Sequence, residues 1–147
     1  MGTLREANPN ARELLTEILD KTRWWSTLNL IMGFLHSKRV ERVRIEFGFV
    51  LDRDLQGKPQ AQDQIVQLND LEAVVKKGFE EGTIEWAKGS DFRFQALGTD
   101  LAFMLCNDAD LHFASADSSL LMELGRKIQS SGIVVYEFGR PIRRRLT

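Results

Sequence analysis

Scarcity sets the first limits on this chain of 147 residues. It has 1 cysteine, Cys106, which rules out an intrachain disulfide framework and a cysteine-rich zinc site and makes a reducing, cytoplasmic setting the expectation, bacterial in character. Charge of one sign is also missing. Its 20 basic and 21 acidic residues leave a net charge of -1, so no global attraction to nucleic acid or anionic lipid is expected. A long apolar run is absent too: the longest, Trp24 to Leu35, is broken by Ser26, Thr27 and Asn29 and is too short to cross a bilayer, so no membrane partner is expected. The opening MGTLREANPN carries neither an apolar signal core nor Ser or Thr at position six, as a myristoylation pattern requires. No glycine-rich phosphate loop is present, because Gly125 and Gly132 lack its spacing.

What is there suffices for one domain over 1–147: 43% of residues are hydrophobic, enough for a sizeable core. Asn8-Pro9 reads as a helix opening, and Ala11, Leu14, Leu15, Ile18 and Leu19 follow at helical spacing. The stripe continues through Trp25, Leu28, Met32 and Leu35, which predicts an N-terminal helical segment over 9–37, as a pair covering 9–22 and 24–37. A strand over 28–35 is the alternative, since Leu28, Leu30, Met32 and Phe34 also alternate.

An α+β core is predicted over 40–138. Val40 to Leu51 alternates apolar and charged residues as a half-buried strand does, 52–61 reads as an exposed loop, and Gln62 to Leu68 returns as its antiparallel partner. Asn69 is the expected cap of a helix that Gly82 stops, followed by a short strand from Thr83 to Ala87. Ala116-Asp117 opens a further helix with Leu120, Leu121, Leu124 and Ile128 inward, Ile133 to Phe138 is a last strand, and 139–147 is a basic tail. The order of elements suggests a weak ββαβ duplication: at an offset of fifty, Leu71, Val74, Ile84 and Trp86 meet Leu121, Leu124, Val134 and Tyr136. The architecture expected is a two-layer domain, a mixed and mainly antiparallel sheet with helices on one face.

The stretch Asp91 to Ser115 is the centre of that sheet and reads as a three-stranded meander. A two-residue turn at Gly98-Thr99 puts Leu97 opposite Asp100, so Phe92, Phe94, Ala96, Leu101, Phe103 and Leu105 share the core face. A three-residue loop, with Cys106 opposing Asp110, keeps Leu111 and Phe113 on that face. A two-residue turn would instead bury Asp110 and His112 among the phenylalanines, at several kcal/mol for the unpaired charge.

The other face gathers Arg93, Gln95, Ala102, Met104, Cys106, Asp110, His112 and Ala114. Guanidinium, thiol, carboxylate and imidazole make Arg93, Cys106, Asp110 and His112 the candidate ligand-binding set. Cys106 and His112 are the candidate catalytic pair, the imidazole taking the thiol proton while Arg93 holds an anionic substrate. Against catalysis, the pair sits diagonally and nothing resembles a nucleophile elbow or a helix N-terminus, so a plain thiol and a half-exposed histidine are expected. Asp108, Asp110, His112 and the nearby Asp117 mimic ligand spacing without the glycine and distal glutamate of a calcium loop, so neither metal nor cofactor is expected.

These features favour a small cytoplasmic binding or regulatory protein, not an enzyme, acting through protein–protein contacts or self-association as a homo-oligomer. Trp24, Trp25, Leu28 and Met32 are the expected interface. One alternative is an enzyme or small-ligand binder on the Arg93, Cys106, Asp110 and His112 face. Another is a nucleic-acid accessory protein using Arg39, Arg42, Arg44 and the C-terminal Arg140, Arg143, Arg144 and Arg145, which the balanced charge disfavours.

Overall fold

Asp20 decides where the first helix begins. Its carboxylate accepts a hydrogen bond from the Arg23 amide at 2.8 Å, and its backbone is extended at φ -77°, ψ 171°, the arrangement of a helix N-cap. The computed structural model describes residues 4, 8–47, 64–84, 92–106, 108–138 and 144–146. Among these, three helices are found: α1 (Lys21–Ser37), α2 (Leu71–Glu81) and α3 (Ser118–Ser130). The strands are β1 (Arg12–Thr16), β2 (Arg42–Phe47), β3 (Gln64–Gln67), β4 (Phe92–Ala96), β5 (Ala102–Leu105), β6 (Leu111–Ser115), β7 (Val135–Glu137) and β8 (Arg144–Arg145).

The helix expected over 9–22 is therefore a strand, and only α1 is helical within 9–37. Its apolar spacing fits a helix on paper, but a lone helix of that length is marginal in water. As β1 the segment lies between β6 and β7 and is hydrogen-bonded along both edges. Alternation then sends Leu14 to the helix side and Glu13 and Leu15 to the other, while Ile18, which a helix would have buried, is 70% exposed. Gly125 of α3 permits the close approach, since a Cβ there would stand 2.8 Å from Leu14 Cδ1. α1 removes the alternative strand over 28–35.

The sheet order is β3-β2-β4-β5-β6-β1-β7-β8 and every pairing is antiparallel, so the sheet is not mixed. The α+β core is not confined to 40–138, because β1 lies inside it and Arg144–Arg145 of the expected tail pair with β7. Leu146, 7% exposed, joins the core behind them. β3 returns antiparallel to β2 as expected, while 48–51 and the loop over 52–61 lie outside the described residues. A 3-10 turn, Leu68–Asp70, precedes α2, which starts beyond the expected Asn69 cap and ends at Gly82 with φ 75°. Thr83 and Ile84 form a bend, not the start of a strand, and 85–87 lie outside the described residues. Of the weak duplication, the strand that would close the first half, 83–87, is a bend at Thr83 and Ile84 and otherwise lies outside the described residues, while its counterpart β7 is separated from the second hairpin by β1.

All three helices cover one face of the sheet. Trp24, Leu28, Ile31, Phe34, Leu71, Val75, Leu121, Leu124 and Ile128 share one buried cluster with Val43, Ile45, Phe92, Phe94, Phe103 and Phe113. This is the predicted two-layer arrangement, an α+β domain with its core between helices and sheet. Phe94 and Phe103 stack across β4 and β5 with centroids 4.5 Å apart. Among the described residues, no helix is long and apolar enough to cross a membrane.

Candidate functional site

The meander has the register that its alternation dictates. Phe94 faces Phe103, Gln95 faces Ala102, Met104 faces His112, and Gly98 turns the first hairpin at φ 86°. The Cys106 amide donates to the Asp110 carbonyl at 3.1 Å, closing the odd-numbered loop, and Ala109 takes the left-handed position at φ 64°. Phe103 and His112 thus point to opposite sides of the sheet.

The far face, away from the helices, is more buried than its polarity suggests. Met104 is 1% exposed, Asp110 3%, and Cys106 and His112 6% each, so the half-exposed histidine expected from the sequence is a buried one. Leu4 and Ala11, from the start of the chain, pack with Met104, Cys106 and Ala114 in a second, small apolar cluster. Asn8 Nδ2 donates to Asp100 Oδ2 at 3.2 Å. Asp100 also accepts from the Ser115 hydroxyl and from the Ala116 amide, tying the first turn of the meander to the end of β6. Burial works against its charge, but these donors outweigh that and hold its carboxyl below its ordinary value of 3.8.

Within this face the four predicted ligand residues fall into two groups. Arg93 and His112 both stand opposite Met104, which separates them by two strand spacings, roughly 9–10 Å. Cys106, Asp110 and His112 form one group, with one donor atom of each lying within 4.8 Å of the others. Glu13 completes it: Oε2 sits 2.8 Å from His112 Nδ1, and both side chains are almost fully buried. On the other ring edge, Nε2 is 3.3 Å from Asp110 Oδ1, an ion contact that falls short of hydrogen-bond geometry and leaves Oδ1 unsatisfied. Burial disfavours the imidazolium, yet Asp110, Cys106 and Glu13 together outweigh it and push the His112 pKa up to about 11.

Arg93 belongs to the other group. It lines a cavity of about 250 Å³ with Asn8, Glu46, Gln95, Asp100 and Ala102. Its Nε and Nη2 are buried and have no hydrogen-bond partner among the described residues. Glu46 is directly across from it in the β2–β4 register.

Sequence reasoning missed Glu13, because in a helix it would have been on a solvated side. It also missed Asn8, Glu46 and Asp100, whose only signal was the outward phase of their own strands and turns. Of the predicted interface, Trp24 and Leu28 are 1% and 2% exposed and close this chain's own core, so they are not free to meet a partner. Trp25 and Met32 are partly buried against the same core, with Trp25 edge-on to Trp24 at 5.0 Å. Among the described residues the arginines do not converge. Arg39, Arg42 and Arg44 are exposed near one end of the sheet, while Arg145 lies on β8 at the other edge, six strand spacings or about 29 Å from β2. Arg140 and Arg143 lie outside the described residues.

Architecturally, then, this is an antiparallel two-layer α+β protein with a small cavity on the sheet face away from the helices. Comparison with protein-family models, with curated proteins and with solved structures finds no match.

Proposed function

We propose that this is a non-catalytic small-molecule-binding protein whose cavity beside Arg93 takes a compact ligand bearing a carboxylate or a phosphate. One observation carries the reading: Arg93 lines that cavity, and two of its guanidinium nitrogens are buried with no hydrogen-bond partner among the described residues. Leaving a charged donor buried and unpaired is costly, and a planar fork of N–H groups matches a carboxylate or phosphate in a bidentate manner. Glu46, opposite Arg93, favours a ligand that also carries a hydrogen-bond donor. At about 250 Å³ the space is below the roughly 300–1,000 Å³ of sites for drug-sized ligands, so the ligand is small. Leu4, Ala11 and Ala102 supply apolar wall on the same cavity. Neither Cys106 nor His112 lines it, which supports binding over catalysis there.

Thermal unfolding of the full chain with succinate, malonate and inorganic phosphate, at matched ionic strength, tests this. The parent gains a saturable rise in Tm with at least one of them, and Arg93→Gln gains none. Identical responses from parent and Arg93→Gln sink the reading.

A further inference from the structure

Cys106 closes β5, Asp110 leads into β6 and His112 sits one residue inside it, so a single tight loop aims three different donor groups at one point. Two ligands of a tetrahedral ion, each about 2.0–2.1 Å from it, stand roughly 3.3 Å apart. Asp110 Oδ1 and His112 Nε2 stand 3.3 Å apart. The thiol sulfur takes a longer bond of about 2.3 Å, and one donor atom from each of the three residues lies within 4.8 Å of the others, so closure needs side-chain movement on the order of 1 Å.

Two further observations point to an ion. Asp110 is 3% exposed, and its buried Oδ1 makes no hydrogen bond, only the 3.3 Å ion contact to His112 Nε2, which leaves the oxygen short of the partners a buried carboxylate usually has. Glu13 Oε2 meets His112 Nδ1 at 2.8 Å, leaving Nε2 for the shared point. A carboxylate on the remote ring nitrogen is the usual outer support of a metal-bound histidine. Thiolate, imidazole and carboxylate together select a borderline-soft divalent ion over calcium or magnesium, which prefer all-oxygen sites.

We infer that Cys106, Asp110 and His112 form a binding site for one zinc-class divalent ion, with Glu13 as a positioning residue. On binding, Cys106 gives up its thiol proton and His112 its Nε2 proton, both to solvent, and the resulting thiolate and neutral imidazole join the Asp110 carboxylate on the ion. Three protein ligands are one fewer than a closed structural zinc site, so the ion keeps a position for water or an incoming ligand. The site does not depend on the Arg93 cavity, and Arg93→Gln keeps it.

Titration of the metal-free full chain with Co²⁺, in a non-thiol reductant, tests the inference by absorption spectroscopy. One equivalent binds, giving a thiolate-to-cobalt charge-transfer band in the near ultraviolet and intense tetrahedral bands in the visible, and Zn²⁺ displaces it. Cys106→Ser loses the charge-transfer band, while Glu13→Gln keeps it with affinity lowered by about 10–100-fold. Should Cys106→Ser not fold, slower alkylation of the parent's thiol in Zn²⁺ replaces that measurement. A folded parent with no cobalt spectrum at excess Co²⁺, or with a thiol alkylated equally fast with and without Zn²⁺, overturns the site.

Discussion

Phe103 and Met104 are neighbours in β5 and both are buried, yet they belong to different kinds of interior. Phe103 points into the cluster beneath the helices, where its ring lies 4.5 Å from Phe94 and 6.5 Å from Phe113. Met104 points to the face where Leu4 and Ala11 are its apolar neighbours and where Arg93 and His112 flank it across the strands. On the first side every buried contact lowers the free energy of the fold. On the second, a guanidinium and a carboxylate have lost water without full replacement, and that costs stability. Groups kept at such a cost are where binding chemistry is expected, which is why both proposals lie on the second side.

The largest effect that sharpens this contrast comes from the first side. Phe103→Ala removes a fully buried ring from the middle of the stacked row and leaves a cavity that α1 and α3 cannot fill. The expected loss is about 3–5 kcal/mol in urea-induced unfolding. A loss under about 1 kcal/mol would mean that the aromatic row is not the core, and the division into two faces would fail.

How much of this was readable in the sequence follows the same division. The strict alternation of phenylalanines from Phe92 to Phe113 fixed the register of the meander, because slipping by one residue would put Asp110 and His112 among them. The same local logic misled at 12–16. Ala11, Leu14, Leu15, Ile18 and Leu19 suit a helix, and nothing local reveals that β6 and β7 leave a gap for one more strand. That single error hid Glu13, since its role exists only once β1 lies beside β6 and brings it to His112. The cavity was hidden for a related reason: Asn8 and Asp100 meet across 92 positions of chain. Arg93 was legible as an outward-facing cation, but its burial was not, because the segment that helps to roof it was read as helix.

A smaller effect tests how the far face is held. Asp100→Asn keeps the side-chain shape but gives up the charge that its Asn8, Ser115 and Ala116 donors support. Hydrogen bonds to a charged group contribute about 1.5–3 kcal/mol each when intact, and the amide keeps part of that, so the expected loss near neutral pH is about 1–2 kcal/mol. Its pH dependence has a definite sign. The folded carboxyl titrates below its ordinary 3.8, so the extra stability is present above that value and is lost as pH falls through the folded pKa. Parent and variant therefore converge in acid, and a gap that stays constant down to strongly acid pH would show that the charge is not what ties the turn.

The smallest effect has the opposite sign, and it separates the two faces most directly. Arg93→Met replaces a guanidinium whose Nε and Nη2 are unsatisfied with a side chain of similar length and no charge. Part of Arg93 still reaches solvent, so the relief is modest, about 1 kcal/mol or less of added stability in ligand-free protein. Succinate, malonate and phosphate should then fail to raise its Tm, so the variant is the more stable protein without ligand and the less stable one with it. A variant that is destabilised without ligand would mean that the guanidinium's contacts outweigh its unpaired nitrogens. Arg93 would then belong with Phe103 as a structural group, and the comparison between the two faces would lose its functional half.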